Sequence, residues 1–320
     1  MDLSLLIENL TNPALLFFFL GILAVRLKSD LEIPSNSSKF ISLYLLFSIG
    51  FKGGQELSHS PLNAEIFLSL LFGVFLALVV PIYSFFILKK RVGGENAGAI
   101  AAAYGSVSAV TFVTSISFLE TQGMTFGGQM VAVMALMEAP SIIIGVLLMR
   151  LFNNGHSAET SFKSVLRHAV TNGSVLLIIG SLVIGFLASE KQAQGIEPFT
   201  TDIFKGFLAV FLLDMGIVSG RKLSSFLDNG WFPVIFAIVM PIFNGCWVAV
   251  ASKVVTQNEA NQFLFAILGA SASYIAVPAA MKLAAPKANP ALYIPMALAI
   301  TFPLNITLGM PLYLSIIRAI

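Results

Sequence analysis

Two stretches of this 320-residue chain hold glycine and serine in a pattern suited to holding a small anion. AGAIAAAYGSVSA (97–109) carries Gly105, Ser106 and Ser108, and GASASYIAVPAA (269–280) carries Gly269, Ser271 and Ser273. Ten of thirteen residues in the first and eight of twelve in the second are Gly, Ala or Ser. Small residues suit tight helix packing, and they also make weak helices. One reading is therefore a pair of packing faces, the other a pair of broken helices. If the helices break, Ser108 and Ser273 become N-caps of the second halves, and Pro278 falls in the first turn of a restarted helix, where its missing N–H costs nothing. Each exposed helix start then carries unpaired N–H groups and roughly +0.5 charge. An anion satisfies those donors, with the serine hydroxyls fixing its orientation. The substrate set on this reading is Gly105, Ser106, Ser108, Gly269, Ser271, Ser273 and the adjoining Tyr274.

A second group of residues is polar inside apolar runs. Glu138 lies in LMEAPSIII, two residues before Pro140, and Asp214 lies in FLLDMGIVSG. Each reads either as functional or as a structural acid bonded internally. Thr111 and Thr114 follow the first glycine-serine stretch at helical spacing, as ligands or as hydroxyls bonded within their own helix. Asn305, Thr301 and Asn244 are polar at depth, suited to a cation or to helix–helix hydrogen bonds. Glu138, Thr111, Ser271 and Asn305 form the candidate cation set. Lys205 is nine residues before Asp214, about 13 Å along a helix, so no direct pair is expected and the lysine should snorkel outward.

These residues sit in a very apolar frame. The chain is 57% hydrophobic and only 11% charged, against about 25% in soluble domains. Ten apolar segments can be read, at about 11–27, 38–52, 64–88, 96–118, 128–150, 171–188, 201–220, 231–252, 260–282 and 291–317. A spanning helix needs about 20 such residues. The expectation is an all-α integral membrane protein of ten transmembrane helices. The first segment follows the acidic Asp2 and Glu8, unlike a cleaved signal peptide, and reads as a retained helix.

The polar stretch 153–170 divides the chain into 1–152 and 171–320, and the halves resemble each other. LTNPALLFFFLGILAVRLKSD from Leu10 lies over VTNGSVLLIIGSLVIGFLASE from Val170, at an offset of 160. IGFKGGQEL from Ile49 lies over MGIVSGRKL from Met215, at 166. Pro81 matches Pro241 at 160, and Glu95, Gly105 and Leu119 match Glu259, Gly269 and Leu283 at 164. Five spans per half is odd, so the second half enters inverted, a plan common among secondary transporters. Helices 4 and 9 are then the broken pair, crossing near mid-membrane, where unwound backbone is tolerated only if it lines a cavity. The glycines of GFKGG (50–54) and GIVSG (216–220) read as helix stops or close packing points. Thirteen Lys and Arg, among them Arg26, Arg91, Arg150, Arg221 and Lys287, fall in the odd loops, against Lys52, Lys191, Lys253 and Arg318 in even loops and termini. The positive-inside rule puts 153–170 in the cytoplasm and both termini outside, in a plasma or inner membrane.

Other function classes are excluded. The net charge of +2 implies no nucleic-acid partner. Cys246 is the single cysteine, so no internal disulfide or thiolate metal site forms. His59, His156 and His168 all lie in or beside loops, and the chain has no HExxH, P-loop or GxGxxG. An enzyme is not expected, and no cofactor is implied.

With this plan in hand, the sequence resembles the sodium-dependent bicarbonate permease family known from cyanobacteria. The resemblance runs from the first span to the tenth. It rests on SIGFKGG (48–54), YGSVSAVTFVTSISFLETQGM (104–124), MEAPSIII (137–144), LDMGIVSG (213–220), GASASYIAVPAAMKLAAPKANPALYI (269–294) and GMPLYLSI (309–316). It implies sodium-coupled bicarbonate uptake, sodium as the coupling ion near Glu138, a homotrimer with an elevator-like moving core, and a substrate site between broken helices at 105–111 and 269–276. The family's acid before the span-5 proline is kept as Glu138, where Asp is usual. Where the family pattern runs Ser-Ser-Ser-Asp-Ile-Ser-Gly-Pro, this chain has Ser271, Ala272, Ser273, Tyr274, Ile275, Ala276, Val277 and Pro278. Tyr274 thus replaces a carboxylate that could hold a cation or tune the anion site. The family also implies a PII-like regulator on a long cytoplasmic segment, which here is only 153–170. The expected function is sodium symport of a small anion, bicarbonate first, by alternating access. The alternatives are a sodium-coupled carrier of small organic anions and a bicarbonate-binding receptor that does not transport.

Overall fold

The computed structural model describes all residues except 1–2, 61–62, 153–166, 168–170 and 227–229. The 153–170 linker expected from sequence therefore lies outside the described residues, apart from Arg167. Every regular element among the described residues is helical. Helices α1 (Leu3–Leu10) and α2 (Pro13–Arg26) form a pair bent by 64°. Asn12 makes the joint: its side chain accepts from the Ala14 N–H at 2.9 Å, and Pro13 opens the helix. Then come α3 (Ser35–Ser58), α4 (Ala64–Val92), α5 (Gly94–Gly105), α6 (Ala109–Thr121), α7 (Gln129–Phe152), α8 (Gly173–Leu187) and α9 (Glu190–Gln194). A π-helical turn, Pro198–Asp202, leads into α10 (Phe204–Phe226), α11 (Trp231–Ala251), α12 (Glu259–Ala270) and α13 (Ala276–Ala284). The chain ends in one long span, Pro290–Ala319, interrupted by π-helical turns at Met296–Thr301 and Asn305–Gly309.

Six stretches are long and apolar enough to cross a membrane, or seven with the bent α1–α2 pair. The sequence reading counted ten. Segments 38–52, 171–188 and 260–282 account for the difference, and each is helical. The first lies in α3, which is long enough but carries Lys39, Lys52, Gln55 and Glu56. The second is α8, only 15 residues and so about 22 Å long. The third is split into α12 and α13, of 12 and 9 residues.

The helices pack in two groups. In one, α3 lies along α8 and α2 lies along α10; in the other, α4 packs on α5 and α7, and α11 on α12 and the last span. The first group meets backbone to backbone. A Cβ on Gly216 would fall 2.1 Å from the Phe18 carbonyl oxygen, and one on Gly50 would fall 2.9 Å from that of Ile178. Phe18 and Ile178 are themselves 160 residues apart. A Cβ on Gly54 would fall 2.1 Å from the Leu182 oxygen, and Gly220 faces Val25. The glycines of 50–54 and 216–220 are thus packing points, since α3 runs on to Ser58 and α10 to Phe226.

Candidate functional site

Both small-residue stretches break. α5 stops at Gly105, Ser106 is extended at φ −82° and ψ 178°, and Ser108, at φ −94° and ψ 106°, caps α6. The Ser108 hydroxyl accepts from the Thr111 N–H at 3.2 Å. In the second stretch α12 stops at Ala270, and Ser271 is extended at φ −80° and ψ 166°. Here the expectation that Ser273 caps the second half needs correction. The residue before α13 is Ile275, whose side chain cannot cap, and Ser273 only accepts from the Val277 N–H at 3.4 Å. Pro278 does fall in the first turn of α13.

The two breaks touch. The Ser273 N–H donates to the Ala103 oxygen at 2.8 Å, and the Ser108 N–H donates to the Ser271 hydroxyl oxygen at 3.2 Å. That hydroxyl in turn donates to the Leu268 oxygen at 3.1 Å. Backbone groups freed by one break are thus met by the other, as buried peptide groups require. The two glycines serve a different fit, that of α5 on α4 and of α12 on α11. A Cβ on Gly105 would lie 2.1 Å from Pro81 Cγ, and one on Gly269 would lie 2.8 Å from Val248 Cγ2.

Some oxygens near the crossing have no partner. Ser106 Oγ, Thr111 Oγ1 and Glu138 Oε2 are buried and bonded to nothing in the protein. Glu138, on α7, is 4% exposed. It shares with Ser108, Ser273, Tyr274, Leu46 and Ser174 the lining of a space of about 10 Å³. Buried polar atoms are ordinarily satisfied, so these three are available to a ligand. All are hydroxyl or carboxylate oxygens, the donors that hard cations take. Among the described residues, no group of three His, Cys, Asp or Glu could hold a metal ion.

Other candidates are committed elsewhere. Asn305 donates to the Ala270 oxygen at 2.8 Å and accepts from the Tyr313 hydroxyl at 3.1 Å. Thr301 donates to the Ala237 oxygen at 2.9 Å and meets the Tyr104 hydroxyl at 2.8 Å. The last span therefore holds Ala270, the residue before the second break, and Tyr104, one residue before the end of α5. Thr114 bonds the Val110 oxygen of its own helix at 2.8 Å. Asp214 accepts from the Ser38 hydroxyl. Tyr274 reaches from the second break to α10, its hydroxyl 3.8 Å from Met215 Sδ.

A cavity not foreseen from sequence measures about 470 Å³ and is lined by Ser48, Lys52, Glu120, Thr200, Asp202 and Lys205 among others. Lys52 on α3 and Lys205 on α10 both pair with Glu120 at the end of α6, at 2.8 and 3.4 Å. Lys205 is exposed as expected, but it also has this partner. The signal was a lysine inside an apolar run, GFKGG, whose distant partner only the fold supplies.

No curated protein matches the chain. A family model does match, from residue 13 to residue 318, and it describes the Na+-dependent bicarbonate transporter superfamily. This is the family the sequence resembled, and the match spans nearly every helix described above. The chain belongs to the Na+-dependent bicarbonate transporter superfamily, and so is a multi-pass membrane transporter rather than an enzyme.

Proposed function

We propose that the protein imports bicarbonate together with sodium, by alternating access, across the plasma or inner membrane. The observation that carries this reading is the set of unpartnered buried oxygens beside two touching helix breaks, with Glu138 among them. The anion lies against the start of α6, where Ser108 and the freed N–H groups favour negative charge. Gly105, Ser106, Gly269, Ser271, Ser273 and Tyr274 complete its surroundings. Sodium binds near Glu138 and Thr111, with Ser271 as a further hydroxyl, and offsets the anion's charge. Each ion then raises the other's affinity by the same factor. Asn305 contributes by holding the Ala270 carbonyl rather than by direct contact.

The ten-span inverted repeat of residues 1–152 and 171–320 is the architecture we infer. Its support is the reciprocal packing: α3 on α8 and α10 on α2 are the same contact once the halves are exchanged. The glycine contacts follow suit, with Gly50 on Ile178 and Gly216 on Phe18. The two packing groups also supply the frame and mobile core of an elevator. Both termini outside, a homotrimer in lipid, and a PII-like regulator at 153–170 belong to the same reading, the first from loop charge and the others from family resemblance.

The test is uptake of labelled bicarbonate into proteoliposomes under an inward gradient of sodium or of potassium. Saturable uptake with sodium alone is expected. Uptake equal in both gradients would remove the symport. A second reading, a receptor that binds bicarbonate without moving it, is favoured by how little space the breaks leave; binding without flux would select it.

A further inference from the structure

The space beside the crossing holds about 10 Å³, enough for roughly one water molecule. A planar anion of four heavy atoms needs several times that. Yet the lining is built to receive a ligand: Glu138 is 4% exposed and its Oε2 has no partner. Tyr274 is the bulkiest side chain lining the space. It leaves the second break, crosses to α10 and ends 3.8 Å from Met215 Sδ, with its ring 6.1 Å from that of Phe302 in an edge-on contact. A thioether is a weak acceptor, and edge-on ring pairs add little beyond their buried area. The ring also packs against the apolar residues of both groups, and its hydroxyl bonds the Ser108 side chain, so it ties the second break to the first and must break that bond to swing away. Leu46 of α3 and Ser174 of α8 also line the space, so it lies where the two packing groups meet.

We infer that Tyr274 is the gate and size filter of the anion site. With the ring in place the site admits one water or a bare sodium ion. With the ring swung away it admits a small planar anion, and the ring's reach sets the largest anion that fits. This rests on the proposed function for the site's position, but its test does not depend on sodium coupling.

The full-length protein is purified in detergent, and its thermal unfolding is followed with bicarbonate, formate or acetate, in sodium and in potassium. A ligand that binds only the folded state raises the midpoint. Wild type should respond to bicarbonate and not to acetate. Tyr274→Ala should respond to acetate as well, with at least a tenfold gain in apparent acetate affinity. Tyr274→Trp should lose the bicarbonate response and keep that to sodium, which guards against an alanine variant that fails to fold. Tyr274→Phe keeps the ring and should keep the wild-type size limit. An unchanged anion range in both the alanine and tryptophan variants would overturn the inference, as would the absence of any anion response in all proteins. If wild-type uptake proves independent of sodium, the symport falls, while the anion range of the variants still decides the filter.

Discussion

The two helix breaks begin from the same material and end differently. The first runs through Ser106, Val107 and Ser108, and a serine cap restarts the helix at once. The second needs Ser271 to Ile275, restarts without a side-chain cap, and sends Tyr274 out to another helix. The first is a fixed helix start aimed at the crossing. The second is looser and carries the one large side chain in the site. On the proposed reading, the first break supplies the part that attracts charge and the second the part that decides what fits.

The sharpest way to break this comparison is at the glycines. Gly105→Ala would set a Cβ 2.1 Å from the Pro81 ring, a rigid neighbour, whereas at Gly269 the obstacle is a Val248 methyl at 2.8 Å. Overpacking costs about 1–3 kcal/mol. Gly105→Ala should fall at or above about 3 kcal/mol and Gly269→Ala below about 1.5, read as thermal stability in detergent. Equal losses would mean that the first break is no more tightly held than the second.

Next in size is Glu138, which faces both breaks. Glu138→Gln removes the charge at nearly constant shape. The sodium concentration for half-maximal uptake should rise about tenfold or more, an effect of about 1.4 kcal/mol. An unchanged sodium requirement would strip Glu138 of its proposed role. The smallest effect separates the caps. Ser108→Ala should lower stability by about 1 kcal/mol, as loss of an N-cap does. Ser273→Ala should cost only a few tenths, because its bond to the first-turn Val277 N–H is long, at 3.4 Å.

The first break could be read from sequence nearly to the residue, because local chemistry decides it: a glycine, an extended serine, then a serine with free N–H groups ahead. The second could be read only in part. Its cap lies past Tyr274, whose path depends on Met215, 59 residues away in sequence. Spacing carries no trace of that contact. The same holds for Asn305, which looked free for a cation and instead holds the Ala270 carbonyl, presented by π-helical turns that no periodicity announces. Lys52 is similar: its charge counts it with the even loops, but it lies within α3 and pairs with Glu120, a partner 68 residues away.

The glycine contacts between α3 and α8, and between α2 and α10, limit how the molecule can move. Helices touching backbone to backbone have no side chains to act as bearings. A slide of a fraction of a turn would drive carbonyls into neighbouring residues, and a full turn of about 5.4 Å would put bulky side chains where glycines now sit. These four helices must travel together or stay still. At the boundary with the broken-helix group the ties are polar as well: Glu120 of α6 is shared by Lys52 and Lys205, and Ser219 of α10 donates to the Leu298 oxygen of the last span. One glycine pair crosses that boundary as well: a Cβ on Gly128 would fall 2.1 Å from the Gly53 oxygen, so α3 is also pinned close to the start of α7.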